Sequence, residues 1–247
     1  MISLARLGNQ LLDLFFPPRC AGCARAGFVF CPRCAQDVLP VVAPFCEHCG
    51  RPQVRPTAYC AACRGGDKDA LALVRVATVY TEPVRSAIRG LKYGAQPELA
   101  PLLARYLIAA AQQPPWPDIL PMLDGVVPVP LHAKRLADRR YNQSGLLGRA
   151  FVEHFGVPLA DSWLHRSRQT QSQVGLSAVE RRQNVADAFQ AGGEVAGKRL
   201  LLVDDVFTTG ATLTACAQAL KQAGAVEVYG LVLATPAPSG GTLPDDV

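Results

Sequence analysis

The apolar positions of this 247-residue chain change period along its length. Leu4, Leu7, Leu11, Leu14 and Phe15 recur at helical spacing, which predicts a helix over residues 1–16. Over residues 17–66 the periodicity stops: Pro17, Pro18, Pro32, Pro44, Pro52 and Pro56 interrupt it, and cysteines stand where an apolar stripe would be. From about residue 67 regular patterns return. Helices are predicted over 83–91, 98–112, 142–155 and 212–223, and strands over 125–130, 159–164, 198–203 and 226–233. Strand, loop, helix and strand over 198–233 form a βαβ unit, so the fold class is α/β, a mostly parallel sheet flanked by helices. Residues 131–135 and the proline-rich 114–121 read as loops, and 236–247 as a disordered tail. The expected organisation is a helix (1–16), a cysteine module (17–66), an α/β domain (67–235) and the tail.

Eight of the nine cysteines fall in four C-x-x-C pairs: Cys20/Cys23, Cys31/Cys34, Cys46/Cys49 and Cys60/Cys63. Such a pair puts two thiolates on one tight turn, and two pairs complete the tetrahedral shell of a structural metal site. Fifty residues with so little regular pattern need such a staple to fold. Taken in chain order, the pairs make a double zinc ribbon with one four-cysteine site in each half. Zinc suits all-thiolate ligands best, with iron as the alternative. An interleaved pairing, or only one occupied site, fits the sequence too. Cys216 stands apart in a helical stretch and reads as a small buried apolar residue.

The chemistry concentrates after the strand ending at Val203. Asp204 and Asp205 follow at once, then Val206, Phe207, Thr208, Thr209, Gly210, Ala211 and Thr212, then a helix. Ligands of parallel sheets sit at the carboxyl ends of strands. Gly210 and its small neighbours let backbone N–H groups approach a phosphate, and the helix adds its positive end. The two carboxylates supply acceptors for sugar hydroxyls.

This run resembles the phosphoribosyl-diphosphate (PRPP) signature of type I phosphoribosyltransferases. The resemblance implies that Asp204 and Asp205 are the catalytic acids that hold the ribose hydroxyls. It implies that residues 206–212 bind PRPP through its 5′-phosphate, with magnesium accompanying the ligand. In that fold the loop after the first core strand binds diphosphate, which points to Lys134 and Arg135. Arg139, Arg166, Arg168 and Arg181 are further diphosphate or closing-loop candidates, and residues 71–94, with Tyr80 and Tyr93, would form the hood over the acceptor. Across nearly the whole chain the motifs resemble the ComF family of competence-associated proteins: the C-x-x-C module, Leu91-Lys92-Tyr93, the proline-bearing run 128–135, the run 139–143, the polar run 168–173, the run 181–189 and the run 204–212. Arg140-Tyr141 stands where that family usually has Gly-Phe. The family implies a role in DNA uptake during natural transformation, or in DNA utilisation.

Charge refines this picture. Residues 132–182 carry nine Lys or Arg against four Asp or Glu, whereas 183–247 carry three against seven. A basic middle block suits diphosphate or single-stranded DNA. Two four-thiolate zinc centres would offset most of the positive charge of residues 1–66, so the ribbons are poor candidates for a basic clamp. No run approaches the roughly 20 apolar residues of a transmembrane segment, and the start lacks a small-residue cleavage site, so a cytoplasmic location is expected. Three functions remain open: phosphoribosyl transfer to an acceptor the residues do not name, non-catalytic binding of single-stranded DNA, and a PRPP-responsive scaffold for DNA-uptake machinery.

Overall fold

A computed structural model describes residues 17–65, 69–167 and 187–237. The expected helix over 1–16, Arg168, Arg181 and residues 238–247 of the expected tail lie outside the described residues. The core is a four-stranded parallel sheet in the order β1 (Leu73–Val79), β6 (Glu227–Thr235), β5 (Arg199–Val206), β2 (Gly125–Pro128). β5 is buried on both faces, which is why it reads as a continuous apolar run rather than an alternating one. Leu200 and Leu202 face one side with Val127, Val129 and α8 (Ala211–Gln222). Leu201 and Val203 face the other, with α3 (Val84–Tyr93), α4 (Leu99–Ala111) and α7 (Gln143–Phe155). The four predicted helices match α3, α4, α7 and α8, and the tight cores of both faces follow from their apolar stripes.

The ribbon segment lies against this sheet. Two short helical turns, α1 (Pro32–Gln36) and α2 (Ala61–Arg64), follow Cys31 and Cys60. Pro32 is tolerated because it sits in the first turn, where its missing N–H has no intrahelical partner anyway. The segment covers the open edge of β1: Val74 N–H donates to His48 O (2.8 Å), Val41 N–H to Ala77 O (3.0 Å) and Val79 N–H to Leu39 O (2.8 Å). A sheet edge so covered offers no template for pairing with another chain.

Four expectations need correction. Residues 131–135 are not all loop: α6 (Ala133–Arg139) begins there, because the His132 ring accepts the Lys134 N–H and the residues that follow are good helix formers. Residues 114–121 are not all loop: α5 (Trp116–Ile119) lies there and runs on into a 3-10 turn, Leu120–Met122, beside the fully buried Trp116. Residues 71–94 are not simply a hood: β1 is a core strand paired with β6, and α3 packs on the sheet. Over 159–164 a single parallel bridge joins Leu159 to Val126, and the strand proper, β3 (Leu164–Arg166), pairs antiparallel with β4 (Phe189–Ala191). A turn at Asp161 and Ser162 divides the two.

Candidate functional site

In each half of the cysteine module four Sγ atoms lie within 4.8 Å of one another: Cys20, Cys23, Cys31 and Cys34, then Cys46, Cys49, Cys60 and Cys63. The pairing is therefore sequential, not interleaved. Separations of 3.7 Å (Cys23–Cys31, Cys49–Cys60, Cys60–Cys63) and 3.9 Å (Cys46–Cys63) are too long for disulfides. They match the roughly 3.8 Å edge of a tetrahedron with 2.3 Å zinc–sulfur bonds. Burial raises the Cys20 thiol, but the backbone N–H groups of Cys31, Cys23 and Gly22 outweigh it and bring it down to about 6. Cys46 comes down to about 7 in the same way, through Cys49 and Cys60. Each half thus holds a thiol poised to give up its proton to a metal. His48 Nδ1 stands 3.4 Å from Cys63 Sγ while its Nε2 meets Leu71 O (3.0 Å), tying the second site to the chain leading into β1.

The second site forms at the carboxyl end of β5. Successive strand residues face opposite sides, so the two acids diverge. Asp205 faces α3 and is 3% exposed; it is ion-paired to Lys92. The Gln143 amide, at the start of α7, donates to its Oδ1 (3.0 Å), and Arg139 in turn donates to Gln143 Oε1, which fixes which way that amide points. Asp204 accepts from Ser144 Oγ (2.9 Å) and from the Asp205 N–H (2.9 Å). Burial and then the charge of Asp205 push the Asp204 carboxyl up to about 7, against the opposing pull of Lys92 and these hydrogen bonds. Burial alone would lower the Lys92 ammonium, but Asp205 reverses this and raises it.

Beyond the acids, Phe207 is tied down by its N–H to Ala234 O (2.8 Å) and its O to the Thr235 hydroxyl (2.9 Å). The chain then turns into α8 through Gly210, whose φ of +85° favours glycine. Thr209 Oγ1 accepts the Ala211 N–H (3.3 Å). Asp204, Asp205 and the whole run 206–212 are thus gathered at one strand end and helix start.

The predicted cations divide. Arg135 and Arg139 line a cavity of about 490 Å³ together with Lys92, Tyr93, Ala95 and Asp138, beside the acid pair. Arg139 stacks over Tyr93 at 5.2 Å, and Tyr93 is 76% exposed. Lys134 is exposed on α6 and is not among the lining residues. Arg166 stacks over Phe189 at 5.2 Å, and burial and the nearby Arg135 lower its pKa while Asp204 attracts it. Sequence reasoning left Lys92, Gln143 and Ser144 without roles. The first two lay inside quoted motifs, but only the packing of α3 and α7 shows what they touch. Arg140 takes the left-handed conformation (φ +69°) at the end of α6, so the turn expected of glycine survives without it.

Two family models match the chain: a double zinc ribbon domain over residues 11–64 and a phosphoribosyl transferase domain over residues 125–246. Among curated relatives, the DNA utilization protein YhgH of Salmonella typhi is 34% identical over 80% of this chain and 86% of its own. Competence protein F of Haemophilus influenzae is 31% identical over 89% of this chain and 99% of its own. Competence protein ComFC of Bacillus subtilis is 25% identical over 78% of each. Among solved structures, a glutamine PRPP amidotransferase from B. subtilis aligns at TM-score 0.38 and 22% identity, over 60% of this chain and 30% of that one.

Proposed function

Because this chain belongs to the ComF family, with competence protein F and YhgH as relatives, we propose that it binds PRPP at the end of β5 and acts in DNA uptake or DNA utilisation. One observation carries the PRPP reading. Two carboxylates at the strand end are held from behind by Ser144, Gln143 and Lys92, while the glycine-capped start of α8 stands beside them. The 5′-phosphate would lie on the backbone N–H groups of residues 208–212. Asp204 and Asp205 would accept hydrogen bonds from the ribose hydroxyls. Diphosphate would lie toward Arg135 and Arg139, with Lys134 and Arg166 at its margin; Arg168 and Arg181 remain candidates for a closing loop.

The carboxylate oxygens of Asp204 and Asp205 are of the kind magnesium prefers, and magnesium bound with PRPP would neutralise charge on the departing diphosphate. Transfer would break the bond from C1′ to diphosphate and form one from C1′ to an acceptor, and the acid pair would stabilise the positive charge that builds on the ribose between. Calorimetry with PRPP and Mg²⁺ on the zinc-loaded protein tests this. Binding by the wild type that is lost in Asp204→Asn/Asp205→Asn supports the site, and no binding by a well-folded wild type overturns it.

A second reading rests on the exposed Tyr93 ring beside Lys92, Arg135 and Arg139. An aromatic platform ringed by cations is how proteins hold single-stranded nucleic acid. Binding of single-stranded DNA that weakens steeply with salt and falls in Tyr93→Ala would support it; no binding at low salt would exclude it.

A further inference from the structure

We infer that Arg51, carried by the second ribbon, is a phosphate-binding residue of the site formed by β5 and α8, its guanidinium standing over the phosphate loop to hold the 5′-phosphate of the phosphoribosyl group. The inference rests on the PRPP reading and adds to it a residue from the cysteine module.

Arg51 follows the Cys49-Gly50 turn of the second four-cysteine site. Its backbone is held from two sides. The Cys46 N–H donates to Arg51 O (2.8 Å), and Gly50 presses on β1 so closely that a side-chain carbon there would meet Arg75 Cα and Val74 O at 2.9 Å. Gly50 also has a φ of +67°, so glycine is doubly required at this approach. From this anchor the side chain reaches the loop between β5 and α8. Its guanidinium carbon lies 4.7 Å from the centre of the Phe207 ring. Its Nη2 lies 3.3 Å from where a side-chain carbon would begin at Gly210, the residue that caps α8.

Among the described residues, no carboxylate faces the guanidinium on that side, and Arg51 Nε is buried without a hydrogen-bond partner. The Cys49 thiol senses its charge from the ribbon side. A planar, permanently charged donor fork, held on an aromatic face and directed at a glycine-capped helix start, is suited to a phosphate dianion. The arrangement joins the two parts of the protein. The metal-dependent turn positions Arg51, so an intact ribbon and a bound phosphoribosyl ligand should each strengthen the other, as any shared contact requires.

The test uses the zinc-loaded full chain and three probes: ribose 5-phosphate, PRPP with Mg²⁺, and inorganic diphosphate. Arg51→Met keeps an apolar stem against Phe207 and removes the charge. It should weaken ribose 5-phosphate and PRPP about tenfold or more, leave diphosphate unchanged, and retain the melting temperature and metal content. Unchanged affinity for ribose 5-phosphate, or an equal loss for all three probes, would overturn the assignment. If Arg51→Met loses its metal or its fold, Arg51→Lys replaces it: the charge stays but the two-pronged contact goes, so ribose 5-phosphate should weaken several-fold, and wild-type affinity would again overturn the role. A wild type that binds none of the probes defeats the PRPP reading itself, whereas a wild type that binds them and an Arg51→Met that does so equally well defeats only the role of Arg51.

Discussion

Replacing Lys92 by methionine isolates the support beneath the acid pair. The Lys92 side chain is 21% exposed and that of Asp205 4%, so their ion pair is largely withdrawn from water. Methionine keeps the apolar stem on α3 and removes the charge. Asp205 would then be a buried carboxylate with the Gln143 amide as its remaining side-chain partner and with Asp204 adjacent. Breaking a buried pair from one side costs about 3–5 kcal/mol, most of it the penalty of the stranded charge. The partial exposure of Lys92 and the surviving Gln143 bond place the expectation near about 3 kcal/mol, a large share of the roughly 5–15 kcal/mol that holds a domain together. Urea unfolding of the zinc-loaded protein at pH 7, followed by far-ultraviolet circular dichroism, measures it. Adding Asp205→Asn removes the stranded charge, so the double variant should regain about 1–2 kcal/mol over Lys92→Met alone. A single variant within about 0.5 kcal/mol of wild type, or a double variant no more stable than the single, would refute the reasoning.

Asp204 has a folded value of about 7 against an ordinary 3.8, so the folded protein holds the extra proton between those values. Its contribution to stability is complete below the lower value and is lost as pH rises through the upper one; urea midpoints between pH 5.5 and 7.5 should fall with pH in wild type and flatten in Asp204→Asn. Arg140→Gly should stabilise the protein by about 1 kcal/mol, because glycine takes the left-handed turn at the end of α6 without the penalty of a side chain; a thermal melt showing no gain would count against strain there. Stripping metal with a chelator should release two zinc ions per chain, read with a colorimetric indicator, and should raise light scattering as the ribbon segment leaves the edge of β1. Release without aggregation would mean that the edge stays covered.

Local features were readable from the residues because their signals are covalent. A C-x-x-C turn brings its thiolates together whatever surrounds it, and the four pairs fall into two sites as chain order suggests. Leu200 to Val203, the acid pair and Gly210 follow one another directly, so the strand end and helix start carry their chemistry in consecutive positions. The weaker readings failed where local preference was thin. α6 hangs on a histidine cap and helix-forming residues rather than on an apolar stripe, and nothing in the residues of β1 itself tells a strand of the central sheet from hood material.

The sequence by itself determined the α/β class, the four C-x-x-C pairs and the place of Asp204, Asp205 and Gly210 between a buried strand and a helix. The tertiary structure alone decided that Lys92 pairs with Asp205, that Arg139 orients Gln143, that the ribbon segment closes the edge of β1, and that Arg51 reaches Phe207 and Gly210. These contacts join residues from separate elements, and their partners come together only when α3, α7 and the ribbon segment pack on the sheet. Packing of that kind leaves no period or spacing in the chain, because it depends on which faces meet rather than on which residues are neighbours.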